Sequence, residues 1–102
     1  MDRTGIMFYK KQTQDISNSI EQLFIDNNII AEFVDSHVKG TTGRHPYAEI
    51  SFMIEGDWKH THGLADELVQ QNFAVFGIRE TDEYSEYDDD YYSSTHQYLI
   101  FL

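Results

Sequence analysis

Two stretches of this chain carry side chains that could do chemistry. The first is Asp57-Trp58-Lys59-His60-Thr61-His62, where two histidines stand two residues apart behind an acid. On extended backbone residues i and i+2 point to the same side, so His60 and His62 could share a metal ion with Asp57 as third ligand. On a helix the same spacing turns them apart. His37, His45 and His96 are scattered through the rest of the chain and join this pair only if folding gathers them. A helix start is the simpler reading of the stretch, and it calls for no metal and no cofactor.

The second stretch is an acidic, tyrosine-rich connection over 81–94. From Glu80 to Tyr92 the acids are Glu80, Asp82, Glu83, Glu86, Asp88, Asp89 and Asp90, and no Lys or Arg follows Arg79. Runs of like charge usually stay solvated, because ordering them gains nothing against their repulsion. Tyr84, Tyr87, Tyr91 and Tyr92 argue the other way. Acidic tails are poor in aromatics, and tyrosine is among the residues that anchor interfaces. Tyr84, Tyr87 and Tyr91 would share one face of a short helix. Consecutive acids such as Asp88, Asp89 and Asp90 point in different directions and do not make a calcium loop of the EF-hand kind.

No complete catalytic motif is present. The chain has no cysteine, which removes thiolate nucleophiles, disulfide scaffolds and cysteine-based zinc sites. No Gly-x-Ser-x-Gly elbow occurs. Gly40-Thr41-Thr42-Gly43 before Arg44 lacks the spacing and the Gly-Lys-Ser/Thr ending of a phosphate loop, so a hairpin turn explains it better.

The elements that must position these residues follow from hydrophobic periodicity. Gly5 to Lys11 holds the apolar run Ile6-Met7-Phe8-Tyr9 and reads as a strand, after which Thr13 or Asp15 can cap a helix. Ile16, Ile20, Leu23 and Phe24 form that helix's apolar stripe, and Asn27-Asn28 end it. Ile29 to Val38 is a second strand. Gly40 to Pro46 is a turn, and Tyr47 to Ile54 alternates with Ala48, Ile50, Phe52 and Ile54 on one face. Asp57 or Thr61 caps a second helix with Leu64, Ala65, Leu68 and Val69 inward. Strands over Phe73 to Glu80 and Thr95 to Leu102 complete the chain. The predicted fold is one α+β domain over 1–102. It is a ferredoxin-like split β-α-β-β-α-β antiparallel sheet with two helices on one face, the first and third strands central, and an extra C-terminal strand at an edge.

At 102 residues with 40% apolar content the chain suits a single core. Eighteen acids against seven Lys plus Arg give a net charge of −11. That disfavours direct contact with nucleic acid or anionic membrane, both of which recruit Lys and Arg. No segment approaches the apolar length of a membrane span, and nothing at the start resembles a leader, so the cytoplasm is the default compartment. In layout, though in no motif, the chain resembles regulators of the ribonuclease E inhibitor B type, which also join a helical-then-strand order to a heavily acidic C-terminal part.

These features set the functional expectation: a small acidic inhibitor, not an enzyme, whose partner is a basic protein, in particular a nucleic-acid-binding enzyme. Asp82, Glu83, Glu86, Asp88, Asp89 and Asp90 would mimic phosphate charge, with Tyr84, Tyr87, Tyr91 and Tyr92 as anchors. Proteins of this kind serve phages against restriction or CRISPR enzymes. An immunity protein or antitoxin plugging a basic toxin fits the same features. A small histidine-based metal or ligand domain using Asp57, His60 and His62 is the alternative of a different class. An edge strand at the C-terminus would also allow a homodimer.

Overall fold

The row Ala48, Ile50, Phe52 and Ile54 is fully buried and forms the floor of the core. Its alternation with Tyr47, Ser51, Met53 and Glu55 makes a strand with one dry face. The computed structural model describes residues 3–40, 45–84 and 92–102, with side chains over 7–40, 45–81 and 93–102. In chain order the elements are α1 (Arg3–Asp26), β1 (Ile30–Lys39), β2 (Tyr47–Gly56), one turn of π-helix (Trp58–His62), α2 (Gly63–Asn72), β3 (Val75–Tyr84) and β4 (Tyr92–Phe101).

The four strands form one antiparallel sheet in the order β1-β2-β4-β3. Ile20 and Phe24 of α1 and Ala65 and Val69 of α2 share a single cluster with the β2 row and with Tyr98 and Ile100 of β4. Both helices therefore cover the same face of the sheet. The α+β class is as expected, and β2-α2-β3 with β4 between its strands is a split βαβ unit. The rest of the predicted topology differs in two ways. Gly5 to Lys11 lies within α1 and is not a strand, so Thr13 and Asp15 sit inside that helix and not at its cap. β2 and β4 are central, which moves the C-terminal strand from the edge to the middle and removes its argument for a homodimer.

The reason α1 begins earlier is visible on its buried face. Thr13 and Ser17 continue the stripe of Ile20 and Phe24 and are themselves buried. Each hydroxyl bonds back one turn, Thr13 to Tyr9 O at 2.7 Å and Ser17 to Thr13 O at 2.9 Å. A polar side chain satisfied by its own helix can occupy a core position, which hides the 3.6-residue period from a hydropathy reading. Asn28 ends the turn after α1 with φ 59, the left-handed conformation that asparagine tolerates.

Gly56 closes β2 with φ 128, and a Cβ there would lie 2.7 Å from Thr61 Oγ1. Asp57 then caps the π turn, its carboxylate accepting from Lys59 N at 2.8 Å, and both Thr61 N and His62 N reach Asp57 O. That wide turn carries His62 inward. A groove of about 800 Å³ runs between α1 and β1 and is lined in part by Lys10, Thr13, Phe33 and His37.

Phe52 is buried between Phe24 at 5.3 Å and Phe33 at 5.7 Å, both edge-on. Truncation to alanine removes packing from both layers at once, and Phe52→Ala should cost about 3–5 kcal/mol in urea unfolding. Met7, on the projecting start of α1, is 68% exposed. Met7→Ala should therefore cost less than about 0.5 kcal/mol. Equal losses would show that the start of α1 is as tightly packed as the core.

Candidate functional site

The inner row of β4 changes character halfway along. Ile100 and Tyr98 face the helices as core residues, but His96 and Ser94 continue the same face and are equally buried. Opposite them in register lie Glu80 and position 82 of β3 on one side, and Phe52 and Ile54 of β2 on the other. The roof over this polar half is the start of α2, which supplies His62 and, one turn on, Asp66. His62, Asp66, Glu80, Ser94, His96 and the Tyr98 hydroxyl, from the π turn, α2, β3 and β4, thus meet here.

Their contacts form a continuous chain. His62 Nε2 lies 3.1 Å from Gly56 O, and its Nδ1 lies 3.0 Å from His96 Nε2. Ser94 Oγ sits against both rings, 2.7 Å from His62 Nδ1 and 2.5 Å from His96 Nε2. The far side of His96 presents Nδ1 to Asp66 Oδ1 at 2.6 Å and to Glu80 Oε1 at 3.6 Å. Tyr98 donates its hydroxyl to Asp66 at 3.0 Å, and Asp66 is also hydrogen-bonded to Glu80. Trp58 stacks over His62 at 5.3 Å between ring centres.

Counting hydrogens along that chain is informative. A carbonyl only accepts, so His62 Nε2 carries a hydrogen and, in a neutral ring, its Nδ1 is a lone pair. Burial alone would raise the pKa of Asp66. The hydrogen bonds from His96, Glu80 and Tyr98 and the charge of His96 outweigh it and hold the carboxyl below its ordinary 3.8. Its place in the first turn of α2 favours the anion as well. An ionised Asp66 only accepts, so a neutral His96 would donate from Nδ1 and leave a second lone pair at Nε2. Two lone pairs would then face each other, with one hydroxyl hydrogen from Ser94 between them. With both rings neutral, that single hydroxyl hydrogen serves one of the two facing nitrogens and not the other. Tyr98 stays a donor throughout, since burial and the Asp66 charge push its phenol upward.

Ser94 Oγ, His96 Nε2, His96 Nδ1 and Asp66 have the connectivity of a serine–histidine–aspartate relay. Access decides against acyl transfer. Ser94 and His96 are both 0% exposed, so no substrate carbonyl can reach the hydroxyl. A second histidine also occupies the side of Oγ from which attack would start.

The residues singled out from the sequence fall elsewhere or divide. Asp57, His60 and His62 are not brought together: His60 is exposed with Nε2 3.9 Å from Asp57, while His62 turns into the cluster. Asp82, Glu83 and Tyr84 belong to β3 and Tyr92 to β4, so Tyr84 does not start a helical face. Glu86, Tyr87, Asp88, Asp89, Asp90 and Tyr91 lie outside the described residues. Asp66, Glu80, Ser94, His96 and Tyr98 carried no signal as a set. The available clue was Ser94 and His96 on the same alternation as Tyr98 and Ile100.

Ser94→Ala removes the hydroxyl that both rings contact and should cost about 1–3 kcal/mol in urea unfolding. Thr95→Ala, on the opposite face, should cost less than about 1 kcal/mol. Similar values for the two variants would mean that the network adds little to the fold. Comparison with protein-family models, curated proteins and solved structures gave no match, so no relative assigns a role to these residues.

Proposed function

We propose that this protein acts without catalysis, docking the acidic end of its β3–β4 hairpin into a cationic groove of a nucleic-acid-binding enzyme and blocking it. One observation carries the reading. The β3–β4 ladder continues to the pair Tyr84↔Tyr92, so both ends of the acidic stretch 85–91 leave the sheet from hydrogen-bonded neighbours. The residues that flank this stretch, Tyr84 and Tyr92, are paired neighbours at one end of the sheet.

Charge distribution supports the same reading. The end of the sheet at which Tyr84 and Tyr92 pair also bears Glu55, at the end of β2, and beyond it Asp57 with Lys59 beside it. Lys39 closes β1 at the opposite end, and Lys10 lies near it, lining the same groove as His37 and Val38. A molecule of net charge −11 is steered toward a basic surface, which raises the association rate and excludes acidic partners. The tyrosines at 84, 87, 91 and 92 would supply the contacts that slow dissociation.

Affinity purification from the native host, with mass spectrometry, names the partner. The variant carrying Glu86→Gln, Asp88→Asn, Asp89→Asn and Asp90→Asn should then bind that partner at least about tenfold more weakly. Added salt should weaken the wild type more than the variant. Equal affinity of variant and wild type, with the same salt dependence, would overturn the reading.

A further inference from the structure

We propose that Asp66, Glu80 and His96 form a binding site for one first-row divalent metal ion, zinc or manganese. The site is independent of the hairpin reading. One ligand atom from each side chain, His96 Nδ1 and a carboxylate oxygen from Asp66 and Glu80, falls within 4.8 Å of the others. The three come from β4, α2 and β3, so the fold, and not a local acidic run, assembles them.

A cation on this ring also fits the contacts of the buried triangle. If His96 Nδ1 binds a cation, the ring carries its hydrogen on Nε2. It can then donate to Ser94 Oγ while Ser94 donates to His62 Nδ1, and His62 donates to Gly56 O. Every contact in the buried triangle is then satisfied by neutral rings.

Supporting contacts of the kind that orient metal ligands are already in place. The second nitrogen of His96 is held by Ser94 and His62, and Asp66 is held by the Tyr98 hydroxyl. Access runs from the carboxylate side, since the Asp66 and Glu80 side chains are 17% and 31% exposed while His96 is closed off. Metal–ligand bonds of roughly 2.0–2.2 Å need donor atoms roughly 3–3.5 Å apart. Glu80 is close to that spacing at 3.6 Å, and Asp66, at 2.6 Å, has only to swing outward by less than about 1 Å. A nitrogen donor beside two oxygens favours zinc or manganese over calcium or magnesium. Water would complete the coordination on the exposed side.

The test uses the full chain, stripped with EDTA and titrated calorimetrically with zinc or manganese chloride. One ion should bind per chain and raise the unfolding temperature. Glu80→Gln, on the edge strand, should keep the circular dichroism spectrum and weaken binding at least about tenfold. A variant with Asp88→Asn, Asp89→Asn and Asp90→Asn should bind as the wild type does. In proton–nitrogen correlation spectra of the metal-saturated protein, His96 should carry hydrogen on Nε2 alone. Absence of saturable binding by either metal, unchanged affinity in Glu80→Gln, or loss of binding in the Asp88–Asp90 variant would each overturn the site. So would a His96 ring protonated at both nitrogens under saturating metal, because a proton would then fill the place assigned to the ion.

Discussion

A buried imidazole must find a partner at both nitrogens, and here that requirement decides how half of the sheet is covered. His96 projects from a central strand and is fully buried, so Asp66 must come down from α2 on one side and His62 with Ser94 must close the other. Those contacts set the height and rotation of α2 over β4. They also explain the π turn: a wider turn brings His62 inward while Asp57 still caps the backbone. Gly56 has two tasks in the same place, reversing the chain at positive φ and offering its carbonyl to His62. The apolar half of the core, by contrast, needs only shape, and Phe24, Phe52 and Tyr98 supply it.

How much of this was legible in the sequence depends on whether a signal was local. The strands were legible because Ala48, Ile50, Phe52 and Ile54 alternate without interruption, and the turn after α1 because Asn28 can adopt φ 59. The first turns of α1 were not. Ile6-Met7-Phe8-Tyr9 reads as a strand when taken alone, and Thr13 and Ser17 interrupt the apolar stripe that would have joined it to Ile16 and Ile20. That single misreading displaced the central pair of strands, since an extra strand at the start competes for the middle of the sheet.

The polar cluster was illegible for a different reason. Each member has an ordinary local explanation: His62 at a helix start, Asp66 in a first helical turn, Glu80 on an edge strand, Ser94 just before a strand and His96 within it. What makes them a site is the pairing Glu80↔His96 and the packing of α2 above it, and neither is written in spacing along the chain. The pattern that does point to it is parity. On a strand with one buried face, a polar residue in phase with Tyr98 and Ile100 must be satisfied from another element, so Ser94 and His96 announce partners without naming them.

The cluster and the acidic hairpin also bear on each other through distance. Position 82 of β3 pairs with Ser94, and the ladder ends only two residues later, so the buried network is the root from which the hairpin grows. The lysines at the far end are no remedy for the hairpin's charge. A ten-residue strand spans about 33 Å, several times the screening length of about 8 Å at physiological ionic strength. Relief of the repulsion has to come from close by, from solvent counterions or from a cationic surface laid against it. A divalent ion held by Asp66, Glu80 and His96 would stiffen the root by tying α2, β3 and β4 to one centre, and a stiffer root loses less conformational freedom when a partner arrives. A cation bound inside and a cationic groove bound outside would then favour one another, with the shared strand pair as the physical link between them.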